Sequence, residues 1–518
     1  MKITNKLFLT VLSVFVFACN DDVNENITEV IKEVEGTEVD ATVDFQYKST
    51  ITLRTGPAGE DDSEGASEIS AFDPISKKLF VVNVEINEIS IVDLSDISNP
   101  VKSGSVNLDG YGAPNSVAVY GGKFAVAVEA PVKQNNGKIV VYNAADATLY
   151  KEYTVGALPD MVTYTKDGKY ILSANEGEPN NAYDNDPEGT VSIIDTKTDE
   201  VTTLDFKSFN DSEAALETHG FRVFGPNADL AKDVEPEYIA VSKDSKTAWV
   251  SLQENNGIAK VNIESKSIEA IYPLGFKDYN LAGNSIDASD KDGVKELKNW
   301  NVKGMYQPDA ITAVNIRGVE YVISANEGDA RDYDGYSEEV RVDDLILDET
   351  VYPVSGDFLN TVNLGRLKTT TTLGENGNGK VNQIYSYGAR SFSIWSANGD
   401  LVYDSGNDIA KETLIETPDS FNGRDKRSDD KGAEPESVTV LSLGDRHILF
   451  LGLERNNQVM VYDISNPLSP GFLDILSHEG DEGPEGLMVI PAAESPSGKD
   501  LLIISNEISG TVSIYENN

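Results

Sequence analysis

The sequence predicts an all-β fold, a seven-bladed β-propeller with long loop insertions on one face and a ring closed by an N-terminal strand. Three observations carry this expectation. A Pro–acidic pair recurs at Pro159-Asp160, Pro236-Glu237, Pro308-Asp309, Pro435-Glu436 and Pro484-Glu485, with weaker copies at Pro114-Asn115 and near Ser67-Glu68. Two short apolar strands follow each copy, and the second ends in glutamate: Glu85, Glu129, Glu176, Glu254, Glu327, Glu454 and Glu507. The last repeat runs out after its third strand at Tyr515, while Phe45-Gln-Tyr-Lys-Ser-Thr-Ile-Thr-Leu-Arg54 stands ahead of the first repeat like a fourth strand without a sheet. Pairing the two would cover edges that otherwise recruit other chains.

From the N-terminus, Lys2 and Lys6 precede an apolar run from Leu7 to Ala18 that is too short to span a bilayer. The run ends in Val16-Phe17-Ala18-Cys19, which resembles a bacterial lipobox, where the cysteine is acylated and begins the mature chain. Cys19 is the single cysteine of 518 residues, so it is the expected lipidation site and a disulfide framework is excluded. An ordinary secretory signal is the alternative. Residues 20–44 are polar and acidic, cannot bury a core, and read as a tether. Asn20-Asp21-Asp22 resembles the export tag of surface lipoproteins. The expected division is therefore a signal peptide over 1–19, a tether over 20–44 and a propeller over 45–518. The expected location is the outer membrane with the propeller outside the cell, a periplasm-facing anchor being the alternative.

Within each repeat a third strand follows the glutamate, such as Thr190–Asp195 or Val459–Asp463, and then a fourth, such as Tyr150–Val155 or Ser267–Tyr272. These segments are rich in β-branched and aromatic residues and are joined by turns such as Lys166-Asp-Gly-Lys169. The Pro159 to Pro236 spacing is 77 residues and Pro308 to Pro435 is 127, against 45 for the compact Pro114 to Pro159 repeat. The excess lies after second strands (about 177–189 and 328–388) or between a fourth strand and the next first strand (about 205–234, 275–306 and 406–433). In an antiparallel blade both connections emerge on one face, which becomes the expected working face.

The charge narrows what that face can do. With 87 acidic and 42 basic residues the net charge is −45, which repels nucleic acid and suits divalent cations or cationic surfaces. The strand-end glutamates form an expected acidic ring, with Asp160, Glu237, Asp309, Glu436 and Glu485 nearer the axis as candidate ligand-binding residues. The ring would serve equally well as blade-to-blade glue. The repeated Ser-Ala-Asn-Glu-Gly strings at 173–177 and 324–328 lead into acidic loops. Glu176, Asp184, Asp186, Glu327, Asp329, Asp332 and Asp334 are candidate metal ligands there, and Asp290 and Asp292 in a further loop. Alternating carboxylates followed by glycine, as in Asp332-Tyr-Asp334-Gly335 and Asp290-Lys-Asp292-Gly293, suit a hard cation such as calcium, though neither string matches the full twelve-residue calcium loop. Arg331, Glu454 and Arg455 join the candidate ligand-binding set. Such arginines can also neutralise the ring as ion pairs. Nucleophile-elbow, zincin and phosphate-loop motifs are absent from the sequence.

Four strings together resemble the choice-of-anchor I family: Lys303-Gly-Met-Tyr-Gln-Pro-Asp-Ala310, the run from Ser324 to Glu339, Tyr385-Ser-Tyr-Gly-Ala-Arg-Ser-Phe-Ser-Ile-Trp395 and Gly452-Leu-Glu-Arg455. That family includes bacterial exported proteins and mesenchyme-specific cell-surface glycoproteins, and the resemblance runs from about residue 65 to the end. It implies a propeller of the YVTN/WD40 type, a cell-surface setting and a link to calcium. The expected function is a monomeric, surface-anchored binding propeller, calcium-associated, whose partner is an extracellular polymer, matrix or mineral. The alternative is a calcium-dependent phosphoester hydrolase, phosphatase- or phytase-like, on the same acidic face.

Overall fold

A computed structural model describes residues 43–56, 65–353 and 357–518. The expected signal peptide, Cys19 and the expected tether up to residue 42 lie outside the described residues. The rest is a β-propeller in which seven antiparallel sheets each carry four strands.

The first sheet runs Ser70–Asp73, Lys78–Asn83, Glu88–Asp93 and Val101–Asn107, and the pattern repeats in order along the chain. The sequence explains each position in a sheet. Second strands such as Lys78–Asn83 and Leu501–Asn506 are near-continuous apolar runs because neighbouring sheets cover both of their faces. Fourth strands such as Val101–Asn107 and Gly471–Leu476 are mostly exposed, as befits outer edges. The last sheet contains Pro484–Ile490, Leu501–Asn506 and Thr511–Asn517, and its fourth strand is Phe45–Thr52, paired antiparallel to the C-terminal strand from Phe45 opposite Asn517 to Thr52 opposite Thr511.

Apolar clusters fill the gaps between successive sheets. Leu172, Ile193, Ile239 and Val250 join the third sheet to the fourth, and Ile323, Ile394, Leu449 and Leu451 join the fifth to the sixth. Leu79, Val81, Ile503 and Ile514 join the first to the last. Each such residue is fully or almost fully buried, contributing roughly 1.5–3 kcal/mol of transfer free energy.

The insertions fall where the sequence places them but are more ordered than loops. Five short strands form an added sheet in the order Phe276–Asp278, Val302–Met305, Ile384–Ser386, Lys368–Thr370, Glu339–Arg341. Its own apolar cluster includes Tyr279, Val302, Val342, Leu364, Leu367 and Ile384. The insertion is clamped to the fifth sheet by two glycines. A Cβ on Gly328 would lie 2.0 Å from the Gly388 nitrogen, and one on Gly388 would lie 1.9 Å from the Glu327 oxygen, so side chains are excluded at both.

Candidate cation site at the sheet junctions

The strand-end glutamates are alike in sequence but not in surroundings. Glu85 is exposed and accepts from the Thr55 hydroxyl, and Glu129 lies 3.7 Å from Lys133. Glu254, Glu327 and Glu454 are buried under the insertions. Burial of the last three brings them against the Pro–acidic segment of an adjoining sheet, and two related clusters result.

At the junction of the third and fourth sheets, carboxylate oxygens of Glu176, Glu235 and Glu254 lie within 4.8 Å of one another. Between the fifth and sixth, Glu327 meets Asp309 and Glu436, and Glu436 meets Glu434 and Glu454 within the same distance. The chain builds both from one pattern. Lys232-Asp-Val-Glu-Pro-Glu237 and Lys431-Gly-Ala-Glu-Pro-Glu436 have the same Lys-x-x-Glu-Pro-Glu spacing.

The lysines go separate ways. Lys431 turns inward, pairing with Glu327 and lying 3.5 Å from Asp329 and 3.6 Å from Glu434. Arg427 and Arg455 add their Nε atoms to Glu434 at 2.5 and 3.4 Å. Burial disfavours the Glu434 charge, yet Lys431, Arg427 and Arg455 hold its carboxyl below the ordinary value. Lys232 instead turns away to Asp186 at 3.1 Å. At the third–fourth junction the counter-charge against the cluster comes from Arg331, which is already engaged. Its guanidinium reaches Asp233 at 2.7 Å and Glu235 at 3.0 Å, and sits 4.5 Å from the centre of the Phe224 ring.

Glu176 and Glu254 therefore face each other with no ion pair of their own among the described residues. Glu254 is 6% exposed and its Oε2 has no hydrogen-bond partner. Burial pushes Glu254 up to about 7, with Arg331 opposing the rise. Burial and then the neighbouring Glu178 push Glu176 well above its ordinary value. Toward the axis, Asp160 is raised to about 7 by burial and by Asp309, and Asp309 to about 6 by burial. Glu237, Glu436 and Glu485 are also raised by burial and by one another's charge. Asp160, Asp309, Glu436 and Glu485 line an axial cavity of ≈ 350 Å³. So many carboxylates close together can ionise only with added positive charge.

The candidate residues read from sequence divide accordingly. Glu176, Glu327, Asp309, Glu436 and Glu454 enter the clusters. Asp160, Glu237 and Glu485 stand near them, and Asp329 lies at the rim beside Lys431. Asp184 is exposed and accepts from Asn180, and Asp186 is bound to Lys232. Asp332 and Asp334 belong to an exposed hairpin in which Asp332–Tyr333 pairs with Tyr336–Ser337. Asp290 is paired with Arg366 at 2.7 Å, and Asp292 accepts from the Val294 nitrogen at 3.1 Å. Arg331 and Arg455 spend their Nε atoms on buried glutamates. Glu235 was missed as a candidate, although the matching Glu-Pro-Glu strings at 235–237 and 434–436 signal it.

Comparison with known proteins supplies a family. The choice-of-anchor I domain model matches residues 68–467. Gigasin-3a of Magallana gigas is 30% identical over 181 residues, 29% of this chain and 64% of that protein. The mesenchyme-specific cell surface glycoprotein of Strongylocentrotus purpuratus is 27% identical over 335 residues, 56% of this chain and 41% of that protein. The chain thus spans less than two thirds of either relative. Among solved structures, the Myceliophteria thermophila Swd1 β-propeller domain aligns over 92% of this chain and 100% of its own, at 8% identity and a TM-score of 0.45.

Proposed function

The chain belongs to the choice-of-anchor I family, and from that premise we propose that it is a surface-anchored binding propeller whose junction carboxylates hold a divalent cation, calcium by preference, and present it to an extracellular polymer, matrix or mineral. The observation that carries the reading is the contrast between the two junctions. One contains its own ammonium, Lys431, and the other keeps Glu176 and Glu254 together while its equivalent lysine faces away.

The donors fit the ion. All are carboxylate oxygens, the ligands a hard cation takes, and the orphaned Glu254 Oε2 is a buried acceptor in need of a partner. Glu176, Glu235 and Glu254 would hold it. A bound calcium would supply the positive charge through which an anionic partner is gripped. The hydrolase alternative has no specific observation in its favour.

We read the seven sheets as seven blades and Phe45–Thr52 as the strand that closes the ring, a reading supported by its pairing with Thr511–Asn517 and by the apolar cluster between the first and last sheets. Anchoring through a lipid on Cys19 at the outer membrane, with the propeller outside, fits the lipobox-like sequence, the family, and the cell-surface designation of the sea-urchin relative.

Calorimetric titration of the metal-free protein with calcium tests the assignment. Glu254→Gln is expected to weaken calcium at least ~10-fold, about 1.4 kcal/mol, and to raise the melting temperature of the metal-free protein at about pH 8, above the raised Glu254 value of about 7, where a buried charge is removed. Unchanged calcium affinity in Glu254→Gln would remove this junction as the site.

A further inference from the structure

In a chain with a net charge of −45, one cavity gathers positive charge. Its volume is ≈ 240 Å³, and Arg424, Lys426, Arg427 and Arg455 contribute to its wall, with Glu454 and Glu482 as the acidic members. The inner arginines are fixed from behind and largely neutralised: the Nε atoms of both donate to the fully buried Glu434, Arg427 Nη2 lies 2.9 Å from Asp430, and Arg455 Nε lies 2.9 Å from Glu454. The outer pair, Arg424 and Lys426, is exposed and makes no ion pair among the described residues.

An unusual backbone places that outer pair. Asn422, Gly423, Arg424 and Asp425 are consecutive residues with φ of 45°, 60°, 60° and 74°. Left-handed backbone costs free energy at every non-glycine residue, and it persists where the surroundings over-determine it, as they do at ligand sites. Here Asn422 Nδ2 donates to Ser428 Oγ at 2.9 Å, and the Asp425 nitrogen donates to Phe421 O at 2.7 Å. The turn is therefore held independently of anything in the pocket.

We propose that this cavity is a subsite for an acidic saccharide unit, a carboxylate-bearing sugar ring of an extracellular polymer. The open fork of the exposed Arg424 can grip both oxygens of a carboxylate, with the Lys426 ammonium beside it and the fixed inner arginines behind. The remaining wall suits the rest of a sugar. Asn457 accepts from the Gly483 nitrogen at 3.0 Å through Oδ1, so its Nδ2 is the end left for ring hydroxyls. Ser420 adds a hydroxyl and Ile508 an apolar surface for the C–H face of the ring. A small inorganic anion would use the cations and leave these groups idle. The inference names the polymer class that the binding reading leaves open, and rests on that reading for the partner being a polymer.

The test titrates the full chain with an oligoglucuronate, with a neutral oligoglucose of equal length, and with inorganic phosphate, each in calcium-free and calcium-containing buffer. Oligoglucuronate is expected to bind in calcium-free buffer and the neutral sugar not to. The Arg424→Ala/Lys426→Ala variant is expected to weaken the uronate at least ~10-fold with an unchanged melting temperature, since both side chains are exposed. Phosphate binding as tight as the uronate would overturn the saccharide assignment. Uronate binding untouched by the double variant would overturn the pocket. Calcium binding without uronate binding would sink this inference and leave the cation reading standing. Uronate binding without calcium binding would do the reverse.

Discussion

Stripped of divalent cations, the protein is expected to melt at a lower temperature at about pH 8 than at about pH 5.5, by on the order of 5 °C, and calcium is expected to restore the loss at the higher pH. The direction follows from the buried carboxylates. Burial raises Glu254 and Asp160 to about 7, and raises Glu327 to about 8 against the pull of Lys431. Their unfolded values are about 4. Between those limits the folded state binds more protons than the unfolded chain, so each group's contribution is fully present below about pH 4 and is lost as pH rises through its folded value. An acidic surface adds self-repulsion in the same direction. Calcium binding reverses the trend because it favours the ionised cluster. Melting curves in chelator across this range, repeated with calcium, give the answer. A melting temperature that is flat or rising in chelator would contradict the arrangement of charges described above.

Replacing Arg331 is expected to have the largest effect of any single substitution at the junction. Arg331→Met should destabilise the fold by about 3–5 kcal/mol, because it strands Asp233 and Glu235 as buried charges. Asp233 is fully tied into the structure, accepting from the Phe224 and Gly225 nitrogens at 3.1 and 2.6 Å and from Asn255 at 2.9 Å, so it cannot move away to solvent. Arg331→Lys keeps the charge but not the fork that spans both carboxylates, and should fall between the two. Chemical denaturation with calcium absent and present measures both effects. Calcium should recover part of the Arg331→Met loss, since the freed Glu235 stays within the cation cluster. A loss below about 1 kcal/mol would mean that the Arg331 pairs are no stronger than surface ion pairs.

How far the sequence carries depends on the range over which each feature is decided. The blades were legible because proline, the strand-end glutamate and glycine turns punctuate every repeat within a few residues, and because second strands such as Leu501–Asn506 must be apolar on both faces. The added sheet was not legible. Its strands are three or four residues long, and Val302–Gly304 pairs in parallel with Ile384–Ser386 from far along the chain, so no local alternation marks it. Which of the strand-end glutamates converge was not legible. Nor was it legible which cluster carries its own ammonium, because the lysine before each Glu-Pro-Glu string points inward at Lys431 and outward at Lys232. Asp186 settles it for Lys232, reaching it from a separate loop. The Asp332-Tyr-Asp334-Gly335 string reads as a metal loop by its spacing, and in the structure it forms the turn of a short hairpin, which local spacing alone does not reveal.

A divalent cation taken up by raised, clustered carboxylates must displace their protons, and that release can be counted. Calcium is titrated into the metal-free protein near pH 7 in two buffers of different ionisation enthalpy, and the difference in heat gives the protons released per ion bound. With Glu254 raised to about 7 and Glu176 raised well above its ordinary value, about one proton or more is expected to be released for each calcium bound. Binding with no proton release, or no binding at all, would contradict it.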